Sequence, residues 1–262
     1  MKEVACQFGH RRQLVGVVTV PSTAPTGVGC LLVTAGLVPK FGPFRLYTQL
    51  ARRLARDGVI TLRFDLGGIG DSSQAYPGQL RERTQLEIRA AVDHLISAYS
   101  VARAVLAGLC SGAEDSFRYA EHDSRIAGVV MIDPFAYRTP GWGWRYWLHR
   151  ARRRLLRAVR AFRPSDLHSG EASAVTYSYM ELAESTRILR TLLARRAGVH
   201  FVYTGGRMEV LDDPSQVKAM FPDLDFGGLV TVDYFPHTDH TQFLQEDRDA
   251  IIQAIAFRVG GG

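Results

Sequence analysis

An α/β class, with a mostly parallel central sheet, helices on both faces and an inserted helical lid, is predicted by three features of this 262-residue sequence. Short apolar, β-branched runs alternate with helical patterns along most of the chain, as strands joined by crossover helices do. One run, "VGCLLVTAG" (Val28–Gly36), is apolar at consecutive positions, the mark of a strand covered on both faces. The alternation breaks only over residues 135–180, where all three tryptophans and a cluster of arginines fall.

Taken in order, "QLVGVVTVP" (Gln13–Pro21) and then "VGCLLVTAG" read as strands. "FRLYTQLARRLARDG" places Leu46, Leu50 and Leu54 on one helical face and stops at Gly58. "VITLRFDLGG" is the next strand and runs into a glycine-rich loop. "RTQLEIRAAVDHLISAY" (Arg83–Tyr99) is an amphipathic helix. "ARAVLAGLC" is a strand, "SGAEDSFRYAEH" a helix and "IAGVVMIDP" (Ile126–Pro134) a buried strand. After residue 180 the pattern resumes with the helix "MELAESTRILRTLLARRAG" and the strand "VHFVYTGG". A short helix after Asp213, the strand "LVTVDYFP" and a last helix from Gln242 to about Phe257 complete it. Residues 1–134 and 181–262 therefore form one core domain. Residues 135–180 form an insertion in which Leu148, Ala151, Leu155, Val159 and Phe162 keep the three-and-four spacing of an amphipathic helix.

Bulk numbers narrow the class of protein. A hydrophobic content of 46% with 22% charged residues is ordinary for a soluble domain. No apolar run approaches the roughly 20 residues that span a bilayer, and the N-terminus lacks a signal-peptide core, so a cytoplasmic location is expected. Cys6, Cys30 and Cys110 are widely spaced and show no metal-ligand spacing; free thiols in a reducing compartment follow, with no metal and no cofactor. The net charge of +6 is local: nine arginines and no carboxylates lie between Arg138 and Arg163, and without them the balance is −3. That stripe is either a solvated helix face whose apolar side closes over the core, or a docking patch. As a patch it suits an acidic acyl carrier protein, a coenzyme A thioester or peripheral contact with an anionic membrane. Nucleic acid is not expected, since no nucleic-acid module accompanies the arginines. "RFDLGGIGDS" lacks both the G-x-G-x-x-G register and a P-loop lysine, which argues against nucleotide binding.

The chemistry centres on "VLAGLCSGAED" (Val105–Asp115), a strand, a tight turn and a helix with Cys110 at the apex between Gly108 and Gly112. Such a turn projects its central side chain out of the sheet edge, and a thiol there is a nucleophile when an imidazole or helix N-terminus lowers its pKa. The alternative is a structural cysteine in a turn without catalysis. Ser111 falls one place late for its hydroxyl to react.

Three stretches, "FRLYTQLARRLARDGVITLRFDLGGIGDS", "GLCSGA" and "TDHTQF", resemble α/β-hydrolases of the lidded serine-aminopeptidase and lipase type. They are most similar to the hydrolases associated with exosortase systems, here with cysteine in the nucleophile elbow. The dienelactone-hydrolase branch also carries cysteine at that position. The resemblance implies a chain order of nucleophile, acid and histidine. It points to His240 in "TDHTQF" as the base, with His237 as competitor. It puts the acid after "VHFVYTGG", at Glu209, with Asp212 and Asp133 as alternatives; Asp213-Pro214 reads instead as a helix start. The oxyanion donors are expected at Ser111 and at Leu37, with Gly36 permitting the turn, and Asp65 is expected to be structural. The implied activity is hydrolysis of an ester or thioester through acyl-Cys110, as a hydrolase or thioesterase acting on a hydrophobic acyl group. Acyl transfer or cyclisation through the same intermediate, and a non-catalytic protein that holds a hydrophobic ligand, are the alternatives.

Overall fold

A computed structural model of the chain describes residues 1–74, 76–140, 142–144, 147, 180–205, 211 and 213–260. Its strands are β1 (Lys2–Phe8), β2 (Leu14–Val20), β3 (Val28–Val33), β4 (Ile60–Phe64), β5 (Arg103–Leu109), β6 (Ile126–Ile132), β7 (Gly198–Thr204) and β8 (Val230–Phe235). They form one sheet in the order β1-β2-β4-β3-β5-β6-β7-β8. Only β1 with β2 and β2 with β4 run antiparallel; every pair from β4 to β8 is parallel. The run read as fully covered is β3, which sits between β4 and β5 with Cys30 to Val33 fully buried.

The helices are α1 (Leu46–Arg56), α2 (Leu80–Tyr99), α3 (Ser111–His122), α4 (Leu182–Ala194), α5 (Gln216–Met220) and α6 (Gln245–Val259). Leu46, Leu50 and Leu54 of α1 pack with Ile251, Ile255 and Val259 of α6 on one face of the sheet. Ile88, Val92 and Leu95 of α2, Phe117 of α3 and Ile188 and Leu192 of α4 cover the other. Each such fully buried leucine or isoleucine contributes about 1.5–3 kcal/mol, which is why the three-and-four spacing fixes which face of each helix turns inward.

β1 is absent from the sequence expectations. In "KEVACQF" only Val4, Cys6 and Phe8 turn toward the protein, and the intervening residues lie in water. An antiparallel edge strand with one wet face carries half the apolar signal of a central one. α2 also begins at Leu80 and α6 at Gln245, three residues to either side of the expected starts. The proposed insertion, residues 135–180, falls largely outside the described residues. Its two ends meet: the Tyr137 hydroxyl donates to Met180 O (2.8 Å) and lies 2.9 Å from Ser185 Oγ. Among the described residues no helix is long and apolar enough to cross a membrane.

Parallel strands end at one edge. Val33, Leu109, Ile132 and Thr204 finish β3, β5, β6 and β7 side by side, and in such sheets the crevice beyond these ends is where ligands bind.

A buried histidine in the sheet gives the fold a pH dependence. His200 on β7 meets Thr231 Oγ1 through Nδ1 (2.8 Å) and faces Asp233 Oδ2 at 3.2 Å. Burial pushes its pKa down to about 4, more than the Asp233 charge raises it. The unfolded chain takes up this proton near 6.5 and the fold only near 4, so the contribution is complete above 6.5 and lost as pH falls. Melting followed from pH 8 to 4 is expected to show a loss of about 1–3 kcal/mol below pH 6.5 that is smaller in His200→Gln. Equal slopes in the two proteins would remove His200 from the account.

Candidate active site

Cys110 stands between β5 and α3 with φ 53° and ψ −120°, a conformation that non-glycine residues avoid. Its neighbours force it there. A Cβ on Gly112 would lie 2.5 Å from Val33 O and 2.7 Å from Thr34 O, and one on Gly108 would strike the Gly112 carbonyl. Only glycines let the first turn of α3 come this close to the strand ends, and the chain turns sharply at Cys110 to achieve it. The turn is held from several sides. Cys110 N donates to Ile132 O (2.8 Å), and Cys110 O accepts from Ala113 N and Glu114 N. The buried Tyr47 hydroxyl accepts from Leu109 N and donates to Val33 O, both at 2.9 Å.

His240 lies in the loop between β8 and α6, near Cys110. Its Nδ1 is 2.7 Å from Asp133 Oδ2, and the Cys110 thiol lies near enough to raise its pKa. Asp133 follows β6 directly and is fully buried. It has φ 46°, and its own amide donates to Val202 O (2.8 Å). Thr204, which ends the neighbouring strand β7, donates its amide to Asp133 Oδ1 (2.7 Å) and its hydroxyl to Oδ2 (2.6 Å). These donors satisfy a carboxylate that burial would otherwise penalise. The Asp133 hydrogen bond, and then the Cys110 thiol, push the His240 pKa up to about 9 against the effect of burial. At neutral pH the imidazolium is favoured.

Of the carboxylates read from the sequence, Asp133 is the one the structure brings to His240. Glu209 and Asp212 lie outside the described residues. Asp213 accepts from Ser215 N (2.8 Å) in the turn before α5, whose N-cap is Ser215 and not Asp213. The competitor His237 has no described contact with Cys110. The pattern that favoured Glu209 came from resemblance; the local signal for Asp133 is an acid directly after a fully apolar strand, beside a neighbouring strand that ends in threonine.

The loop after β3 supplies the opposite wall. Gly36, at φ 53°, makes the turn, and its amide donates to Ser111 Oγ (3.1 Å). The Ser111 hydroxyl thus points to the loop. The Ser111 amide, in the first turn of α3, lacks an intrahelical acceptor, as does every such amide. Farther along, Lys40 ties the loop to the buried Asp65: its amide reaches Oδ1 (2.6 Å) and its Nζ reaches Oδ2 (2.7 Å) and Asp71 (2.5 Å). Asp65 is a brace, in keeping with its expected structural part. Phe44 and Phe243 stack edge-on at 5.2 Å and link this loop to the one carrying His240.

A cavity of about 180 Å³ adjoins the Gly36–Leu37 turn and is walled by Leu66, Ile69 and Leu80. A larger depression, about 680 Å³, lies over α2, α3 and α4 among paired charges such as Arg118 with Glu184, and none of Cys110, Asp133 or His240 lines either space. Among the described residues no group of three His, Cys, Asp or Glu is placed to hold a metal ion.

No family model and no curated protein sequence matches the chain. Solved structures do. A serine α/β-hydrolase without a lid from Xanthomonas campestris is 16% identical, with a TM-score of 0.60 over 100% of this chain and 97% of that one. An esterase from Pyrococcus furiosus is 15% identical, TM-score 0.62, over 99% and 92%. A dienelactone hydrolase from Anabaena variabilis is 13% identical, TM-score 0.59, over 97% and 95%. The chain has the α/β-hydrolase fold.

Two outcomes follow from this geometry. Titrated by NMR, the His240 imidazolium should persist to about pH 9, and Asp133→Asn should bring the midpoint back toward 6.5; equal midpoints near 6.5 would mean that the contact does not hold in solution. Gly112→Ala drives a methyl into the Val33 and Thr34 carbonyls and should cost at least about 1–3 kcal/mol in chemical unfolding.

Proposed function

We propose that the protein is an acyl-transferring hydrolase that works through a thioester on Cys110. One observation carries this reading: His240 pairs with a buried, fully hydrogen-bonded carboxylate beside a strained elbow cysteine whose thiol raises its pKa. A structural cysteine has no use for that partner. A protein that merely holds a hydrophobic ligand has no use for it either.

In the first half-reaction the Cys110 sulfur attacks the carbonyl carbon of an ester or thioester. The S–C bond forms, the bond to the leaving oxygen or sulfur breaks, and His240 gives the leaving group its proton. In the second, His240 takes a proton from water, the water oxygen attacks the acyl carbon, and the Cys110–acyl bond breaks to release the acid. Asp133 keeps the His240 proton on Nδ1 and stabilises the imidazolium in both halves. The amides of Ser111 and Leu37 receive the charge that develops on the carbonyl oxygen. A serine hydrolase, an esterase and a dienelactone hydrolase are among the proteins that share this fold, which supports the assignment of reaction class. Since the intermediate is itself a thioester, an alcohol, amine or thiol replaces water as acceptor wherever it reaches the acyl carbon first.

Intact-protein mass spectrometry after incubation with a panel of acyl thioesters tests the reading. The wild type should gain one acyl group, Cys110→Ala none, and His240→Ala and Asp133→Asn should acylate about 10²–10⁴-fold more slowly. Glu209→Gln should stay within about threefold of wild type. Loss of acylation in Glu209→Gln but not in Asp133→Asn would move the acid to Glu209. No adduct with any thioester, together with sluggish alkylation of Cys110 by iodoacetamide, would discard the enzyme.

A further inference from the structure

Tyr47, in the first turn of α1, is fully buried and meets the backbone at three places around the edge that carries Cys110. Its hydroxyl donates to Val33 O and accepts from Leu109 N, both at 2.9 Å, and its amide donates to Phe41 O (3.0 Å). Val33 ends β3 and Leu109 ends β5. The two strands pair in parallel with Val33 opposite Gly108, a register in which the Leu109 amide faces the Val33 carbonyl. The phenol oxygen is therefore interposed in the last rung of the ladder. Left to themselves, the two backbone groups would satisfy each other, so the hydroxyl is not required to pair them. What it adds is separation: a relayed bond holds the strand ends farther apart than a direct one.

That separation falls where two chain segments leave the sheet. Beyond Leu109 lie Cys110 and Ser111; beyond Val33 lies the loop with Gly36 and Leu37. Phe41 O, the third contact, belongs to the far part of the same loop, where Gly42 (φ 71°) turns against the tyrosine so closely that a Cβ would lie 2.9 Å from its ring. One residue thus holds both ends of this loop and the position before the elbow. Burial foremost, and then the Cys110 and Cys30 thiols, push the Tyr47 pKa up, so the hydroxyl keeps its proton for Val33 O.

We infer that Tyr47 is a positioning residue for the oxyanion site, its hydroxyl setting the distance between the Ser111 amide on the elbow and the Leu37 amide on the loop. The inference rests on the reading of Cys110 as the acyl acceptor and of these two amides as the oxyanion donors. Removing the hydroxyl lets Leu109 N close directly on Val33 O. The elbow and the loop then approach, and the two amides no longer converge on the carbonyl oxygen.

The test compares two reactions of the same sulfur in wild type, Tyr47→Phe and Gly42→Ala, each read by peptide mass at Cys110. Acylation by the N-acetylcysteamine thioesters of acetic, butyric and octanoic acids builds negative charge on a carbonyl oxygen. Alkylation by iodoacetamide, in which the S–C bond forms as iodide leaves, builds none there. Tyr47→Phe should lower the maximal acylation rate about 10–100-fold, less than outright loss of an oxyanion donor, with the half-saturating concentration within about threefold. Alkylation, and its pH midpoint, should stay as in wild type. Gly42→Ala presses a methyl on the ring but keeps the hydroxyl, and should show the same split in smaller measure. Equal falls in both reactions, or acylation unchanged in Tyr47→Phe, would overturn the inference and leave the acyl-enzyme reading standing. Should Tyr47→Phe not fold, the split in Gly42→Ala decides. If no thioester acylates the wild type, the acyl-enzyme reading itself fails and this inference goes with it.

Discussion

The approach of α3 to the ends of β3 and β5 is closer than any side chain permits, and the sheet edge is organised around it. Gly108 and Gly112 make the contact possible, and the turn it imposes costs Cys110 an unfavourable backbone conformation. Strain of this kind runs to about 1–3 kcal/mol and survives only where the surroundings over-determine it. Here they do. Ile132 O, the Tyr47 hydroxyl and two α3 amides fix the residue and its neighbour, so that the thiol stands clear of the sheet on a backbone that cannot relax.

The same edge settles where a carboxylate can sit. Asp133 leaves β6 one strand away from Cys110, and its neighbour β7 ends in Thr204, whose amide and hydroxyl both point at it. A buried carboxylate needs that number of donors before it can also hold an imidazole, and the third comes from His240. The histidine is therefore oriented by the sheet although it rides on a loop. The loop in turn is anchored: Asp239 accepts from the amides of Thr241 and Phe243, and Phe243 reaches across to Phe44.

Much of this was legible in the sequence because the strongest signals and the strongest constraints coincide. Central strands buried on both faces read as apolar runs, and the glycine pair around Cys110 is a steric requirement written directly in residues. β1 was not legible, since an edge strand with one wet face dilutes its pattern with Lys2, Glu3 and Gln7. The acid was ambiguous for a different reason. Several loops reach the same edge, so spacing along the chain does not separate Asp133 from Glu209; the hydrogen bond between Asp133 and His240 spans 107 residues, which no local pattern carries.

The bond from Gly36 to Ser111 Oγ bears on how the proposed oxyanion hole is built. The loop after β3 offers the amides of Gly36 and Leu37, and the first is already engaged. That leaves Leu37 from the loop and Ser111 from the helix, one donor from each side of Cys110. The serine hydroxyl then has a purpose unrelated to nucleophilicity: it pins the loop to the helix that carries the thiol, while Lys40 and Asp65 pin its other end to the β4 loop. A loop fastened at both ends keeps its amide aimed before any charge appears. Such preorganisation is what makes a hydrogen-bond donor effective toward a transition state, because no free energy is spent turning it at the moment of reaction. The residue one place too late to attack is thus well placed to hold the loop beside Cys110.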